Sequence, residues 1–111
     1  TSRMTERITI YLEKLKANPD NLLNRFSLAQ VYFENGEYEN AIVHLKICFQ
    51  KRDDWMMVSL LLGKALIAVG QKKQACAPLE QTINLAIKQG HEDPEQEAKT
   101  LLAECVESDL V

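Results

Sequence analysis

Two histidines and three cysteines are the sequence's whole stock of imidazole and thiol, and neither set is spaced for chemistry. Cys48, Cys76 and Cys105 are odd in number and far apart. That suits neither a disulfide framework nor a paired zinc motif. They read as small buried hydrophobes in a reducing compartment, which predicts a cytoplasmic protein. His44 is expected at the surface, beside an apolar stripe, and His91 in a connection next to acids. The chain has no glycine-rich phosphate loop, no HExxH, no GxSxG and no CxxC. Glu92, Asp93 and Glu95 cluster where a helix should begin, so they read as dipole and capping residues. No enzyme activity, no cofactor and no metal is therefore expected.

Long apolar runs are also missing. The longest, Met56 to Leu62, is interrupted by Ser59 and falls far short of the roughly 20 residues of a membrane span. Positive charge is neither abundant nor gathered: the net charge is −3, and the only adjacent basic pairs are Lys51-Arg52 and Lys72-Lys73. A nucleic-acid binder concentrates such charge on one face. Neither nucleic acid nor membrane is expected as a partner.

What is present is helix-forming sequence with a repeat. The 111 residues, 46% hydrophobic and 26% charged, suit one globular domain. Shifting the chain by 34 places Leu28-Ala29 on Leu62-Gly63, Gly36 on Gly70, Ala41 on Ala75, Ile42 on Cys76 and Leu45 on Leu79. Within the unit, apolar residues at 22, 23, 26, 28, 29, 32 and 33 give a helix with a wide apolar face. Asp20 or Asn21 can cap it, and Pro19 excludes helix just upstream. Gly36 then ends it, because the place after a helix often takes a left-handed backbone. A second helix follows, with Ala41, Ile42, Leu45, Cys48 and Phe49 on one side. Ala29 against Ala41, and Gly63 against Ala75, are the expected points of closest helix approach.

These positions resemble the tetratricopeptide repeat: Leu28, Ala29, Tyr32, Gly36, Tyr38, Ala41 and Leu45 in one unit, and Leu62, Gly63, Leu66, Gly70, Ala75 and Leu79 in the next. The chain is also similar to small stand-alone bacterial proteins of that family. The resemblance implies an all-α helix–turn–helix solenoid of about six helices in a single domain, 1–111. Its expected parts are a leading helix at 5–17, repeat 1 at 22–55, repeat 2 at 56–90 and a capping helix at 93–108. Two family positions depart from the pattern. The fourth, usually a large aromatic, is Arg25 and Ser59; the thirty-second, usually proline, is Asp53 and Ile87. Without a breaker at 87, the last helix of repeat 2 should run from about Lys72 to Gln89 and stop at Gly90. Pro78, inside it, should kink that helix or shift its start. Asp93-Pro94-Glu95-Gln96 reads as a helix start with Asp93 as cap.

In the resembled family the first helices of successive repeats line a concave groove that holds a peptide. The corresponding positions here are Leu23, Phe26, Gln30 and Phe33, then Met57, Leu60, Lys64 and Ile67. Co-chaperone members grip a C-terminal carboxylate with lysine and asparagines at three of the family's groove positions. Phe26, Gln30 and Leu61 stand there in this chain, so that clamp is not expected. If all its apolar members were exposed, the groove would form a patch that soluble monomers rarely leave bare. The resemblance thus implies a protein–protein interaction scaffold that binds an apolar or amphipathic peptide or helix. The alternative is a homo-oligomer, such as a homodimer, that turns the groove on itself.

Overall fold

The computed structural model describes residues 3–109, with side chains described as far as residue 106; the expected domain limits at 1 and 111 lie outside the described residues. Six α-helices follow in order: α1 Arg3–Ala17, α2 Leu22–Glu34, α3 Tyr38–Lys51, α4 Met56–Ala68, α5 Lys72–Gln89 and α6 Glu92–Asp109. The chain is all-α. Helices α2 and α3 pair, as do α4 and α5; α3 also packs on α4, while α1 leans on α2 and α6 on α5. Contacts of α4 with both α2 and α6 place these three side by side. The resulting stack measures 42 × 30 × 21 Å, elongated as a solenoid is.

One turn is used three times. The Asn21 side chain opens α2 by accepting from the Asn24 amide at 2.9 Å. At its far end Gly36 has φ +78°, a left-handed backbone. The Gly36 amide bonds to the Phe33 carbonyl at 3.0 Å, and the Glu37 amide reaches back to Tyr32 at 2.8 Å. These two bonds satisfy carbonyls that a helix end would otherwise leave open. The same pair recurs after α4, around Gly70, and after α5, around Gly90. The spacing of these glycines therefore sets where each antiparallel partner begins.

The core runs along the helix pairs. Ala29, Ala41, Leu45, Cys48, Val58, Ala65, Ala75 and Leu79 have no solvent exposure. Gly63 is the tightest point. A methyl built there would lie 2.5 Å from Leu79 Cδ2 and 2.7 Å from Leu79 Cγ. The glycine opens a slot that a leucine from α5 fills.

Several local expectations need correction. Helix α1 begins earlier, at Arg3, and buries only Leu15, with Leu12 43% exposed. Pro78 sits inside α5 without shifting its start, which stays at Lys72. Helix α6 begins at Glu92, with the Glu95 amide bonded to the His91 carbonyl at 3.3 Å. Asp93 is therefore inside the first turn and not its cap, and Pro94 still falls where a backbone donor is not needed. Cys48 and Cys105 are buried, but Cys76 is only half-buried. No helix among the described residues is long and apolar enough to cross a membrane.

Candidate functional site

The eight groove positions fall on α2 and α4, but they divide by burial. Leu23 is 64% exposed and Met57 48% exposed. Both hold the second place of their repeat, so each repeat presents one large apolar side chain to solvent at the same position. Gln30, Phe33, Lys64 and Ile67 are half-buried. Phe26 and Leu60, which share the fifth place, are core residues. Phe26 lies against Trp55, with ring centroids 4.9 Å apart and planes tilted by 51°. Trp55 comes from the turn between repeats, where the Arg52 guanidinium covers it at 5.3 Å. The exposed apolar part of this face is therefore limited, because an inter-repeat aromatic takes Phe26 into the core.

The polar points on this face are partly engaged. The Lys64 ammonium forms an ion pair with Glu97. That pair joins α4 to α6, so the C-terminal helix brings an acidic residue to the edge of the same face. Phe33 meets the Tyr38 ring edge-on, with centroids 5.1 Å apart. Leu61 is half-buried against the core. The three places where clamp-type relatives carry lysine and asparagines thus hold a buried ring, a half-buried amide and a packed leucine.

A second polar group lies between α2 and α3, and sequence reasoning placed its histidine at the surface. His44 is half-buried. Its ring stacks on Tyr32 at 6.0 Å with planes only 10° apart. Nη1 of Arg25 lies 2.9 Å from His44 Nδ1, and Nη2 donates to the Pro19 carbonyl at 3.2 Å. An arginine has no lone pair to offer, so His44 Nδ1 must be the acceptor and the imidazole neutral. Burial, and then the charge of Arg25, both hold its pKa below the usual histidine value. The Arg25 Nε is buried without a hydrogen-bond partner. Nearby, burial pushes the Cys48 thiol up to about 11 despite the opposing pull of Arg25. The sign that could have been read is Arg25 itself, an arginine at a place that usually holds a large aromatic.

Among the described residues, no three His, Cys, Asp or Glu side chains gather as a metal site would require. The connection carrying His91 is an open, polar hollow lined by Gly90, His91, Glu92, Asp93 and Pro94. A cleft of about 280 Å³ also lies between α3 and α5 over α4, lined by Phe49, Leu62, Leu66 and Pro78 among others. The 34-residue pattern gives no warning of it, because its wall is drawn from both repeats, Phe49 from one and Pro78 from the other.

Paired antiparallel helices, repeated in register around left-handed glycine turns, define a helical-repeat solenoid of the protein-interaction class. Comparison with known proteins gives the family. Residues 3–82 match the family model described as anaphase-promoting complex, cyclosome, subunit 3. Over 92 residues the chain is 35% identical to the TPR repeat-containing protein PA0015 of Pseudomonas aeruginosa, covering 82% of this chain and 88% of that protein. The chain belongs to the tetratricopeptide repeat family. In shape it is similar to the TPR2B domain of yeast Sti1 in its pHsp70 complex, with a TM-score of 0.81 at 15% identity, covering 95% of this chain and 84% of that one. It also resembles protein BPP2914 from Bordetella parapertussis, with a TM-score of 0.72 at 25% identity, covering 98% and 92%. The family's members are generally non-enzymatic scaffolds for protein–protein interaction.

Proposed function

We propose that the chain binds an apolar or amphipathic peptide or helix of another protein along α2 and α4, without gripping a terminal carboxylate. The observation that carries this reading is the exposure of Leu23 and Met57 at equivalent places in the two repeats. An exposed apolar residue repeated at one solenoid position offers an amphipathic helix two anchors in a row. Gln30 and Lys64 supply polar points about two turns further along the same helices, and Phe33 and Ile67 supply partly covered apolar walls. Phe26 and Leu60 act from beneath, by fixing the surface on which the others stand. Phe26, Gln30 and Leu61 offer no cationic grip to a terminal carboxylate, which supports the non-clamp reading despite the likeness in fold to the Sti1 domain.

The test is selection from a displayed library of helical peptides, followed by fluorescence anisotropy with the best binder. Leu23→Lys combined with Met57→Lys should weaken binding by at least about tenfold, since burying each such side chain contributes roughly 1.5–3 kcal/mol. Both sites are exposed, so circular dichroism should stay helical. Amidating the peptide C-terminus should change little. Equal affinity of the double variant, or a large loss on amidation, would sink the proposal. Light scattering on the same samples separates the self-associating alternative: a dimer that the double variant dissolves would favour it.

A further inference from the structure

The three cysteines are not equivalent. Cys48 is alone on α3, its thiol directed to the Leu22 carbonyl at 3.8 Å. Cys76 on α5 and Cys105 on α6 belong together. These two helices are antiparallel about the turn at Gly90, and the cysteines lie equally far from that glycine to within one residue. Of all the helix pairs, α5 and α6 share the most extensive packing. Cys105 is fully buried, and Cys76 packs against the same cluster while keeping partial exposure. Cys76 is among the neighbours that, after burial itself, hold the Cys105 thiol above its ordinary range, and Cys76 points its own thiol at the Lys72 carbonyl, 3.7 Å away. Two thiols at matched places on the two most extensively packed helices, beside one core cluster, are placed for a disulfide to join them, a relation that their sequence separation conceals.

We propose that Cys76 and Cys105 are a redox pair that a hydroperoxide closes into a disulfide, stapling α6 to α5. Cys76 is the entry point because solvent reaches it. Its thiolate attacks a peroxide oxygen, the O–O bond breaks, and a sulfenic acid forms with release of hydroxide. The Cys105 sulfur then attacks the Cys76 sulfur and displaces the hydroxyl group, which leaves as water with the Cys105 proton. With hydrogen peroxide, two thiols lose two electrons and two protons, and one peroxide becomes two waters. Burial, with the Cys76 sulfur beside it, holds the Cys105 thiol above its ordinary range, so Cys105 acts as the resolving partner and not as the first nucleophile. The staple would fix the helix whose Glu97 pairs with Lys64.

The full chain, treated with hydrogen peroxide and then alkylated under denaturing conditions, gives the test. Intact mass and non-reducing peptide mapping should show one intramolecular bond joining Cys76 to Cys105, with Cys48 still alkylated. The melting temperature should rise by roughly 5 °C or more, because the closed loop restricts the unfolded chain, and dithiothreitol should reverse the rise. Cys48→Ser should close as the parent does. Cys105→Ser should stop at a modified Cys76 with no rise in melting temperature; if that variant folds poorly, Cys76→Ser should likewise leave no bond. Three free thiols after oxidation would overturn the proposal. So would a bond that includes Cys48, bonds between molecules only, or Cys76 driven to sulfinic acid beside an untouched Cys105.

Discussion

The two repeats share one register, and one cluster of three equivalent places sets them apart. Repeat 1 has Arg25, His44 and Cys48; repeat 2 has Ser59, Pro78 and Thr82. In repeat 2 the space is closed. Ser59 and Thr82 are fully buried. Their hydroxyls lie 2.8 Å apart, Thr82 donates to the Pro78 carbonyl at 2.8 Å, and Ser59 reaches the Met56 carbonyl at 2.8 Å. Every hydroxyl has a partner, and no charge is involved. In repeat 1 the same space holds a guanidinium with one buried nitrogen unpartnered, bonded to an imidazole that must stay neutral. Turn and backbone are thus compatible with two solutions to the missing aromatic: a small satisfied pair, or a long charged side chain that reaches back toward water. Only the second responds to pH.

The sharpest way to break the likeness is at the closest helix approach. Gly63→Leu should cost about 3 kcal/mol in chemical denaturation, at the top of the overpacking range, because the fully buried Leu79 already fills the slot. Ala29→Leu, its counterpart in repeat 1, should cost about 1–3 kcal/mol. Neutral behaviour at both sites would refute the common register. Next, Arg25→Leu should stabilise the protein by about 1 kcal/mol, since it removes a buried unpaired nitrogen where a hydrocarbon fits. Ser59→Ala should instead cost about 1 kcal/mol, since it opens a small void and breaks a satisfied pair. The same sign for both variants would show that the polar groups are equivalent after all.

A smaller effect separates the repeats by acid. The folded-state pKa of His44 is lowered, so the folded protein binds fewer protons there than the unfolded chain does. Its contribution is intact above the unfolded value of about 6.5 and is lost as pH falls from there through the folded-state pKa. Melting temperatures measured down that range should fall, and His44→Gln should flatten the part of the slope that His44 supplies. Smallest of all is the Arg7–Glu34 pair, 3.3 Å apart with both side chains about half exposed. Arg7→Ala should change stability by no more than about 0.5 kcal/mol, and differential scanning calorimetry in low and high salt should barely distinguish it from the parent.

The fold was legible because its main determinants are local. Gly36, Gly70 and Gly90 mark left-handed turns, and the 34-residue offset carries the small and large residues of the helix interfaces with them. The candidate site was legible only as a set of positions. The fifth place of each repeat looks like groove when a helix is read alone. Phe26 is lost to the core because Trp55, from a turn almost thirty residues later, folds over it. His44 looked like a surface residue because its neighbour Arg25 lies on another helix and could not be paired with it by spacing. The same limit hides the matched placement of Cys76 and Cys105 on the packed helices α5 and α6, since spacing alone presents them as unrelated small hydrophobes. Periodicity reports which face of a helix is apolar. It does not report how far a neighbouring element extends across that face.

Helix α1 gives the molecule a direction. It packs on α2 alone, buries one side chain and leaves Ile10 half exposed. Stability in a solenoid is a sum of neighbour contacts, so the cheapest local opening starts there. Amide hydrogen exchange should therefore run as a gradient, fastest along α1 and slowest in α4 and α5. The protein would unzip like a row of hinged slats loosened from one end, each released helix uncovering the next.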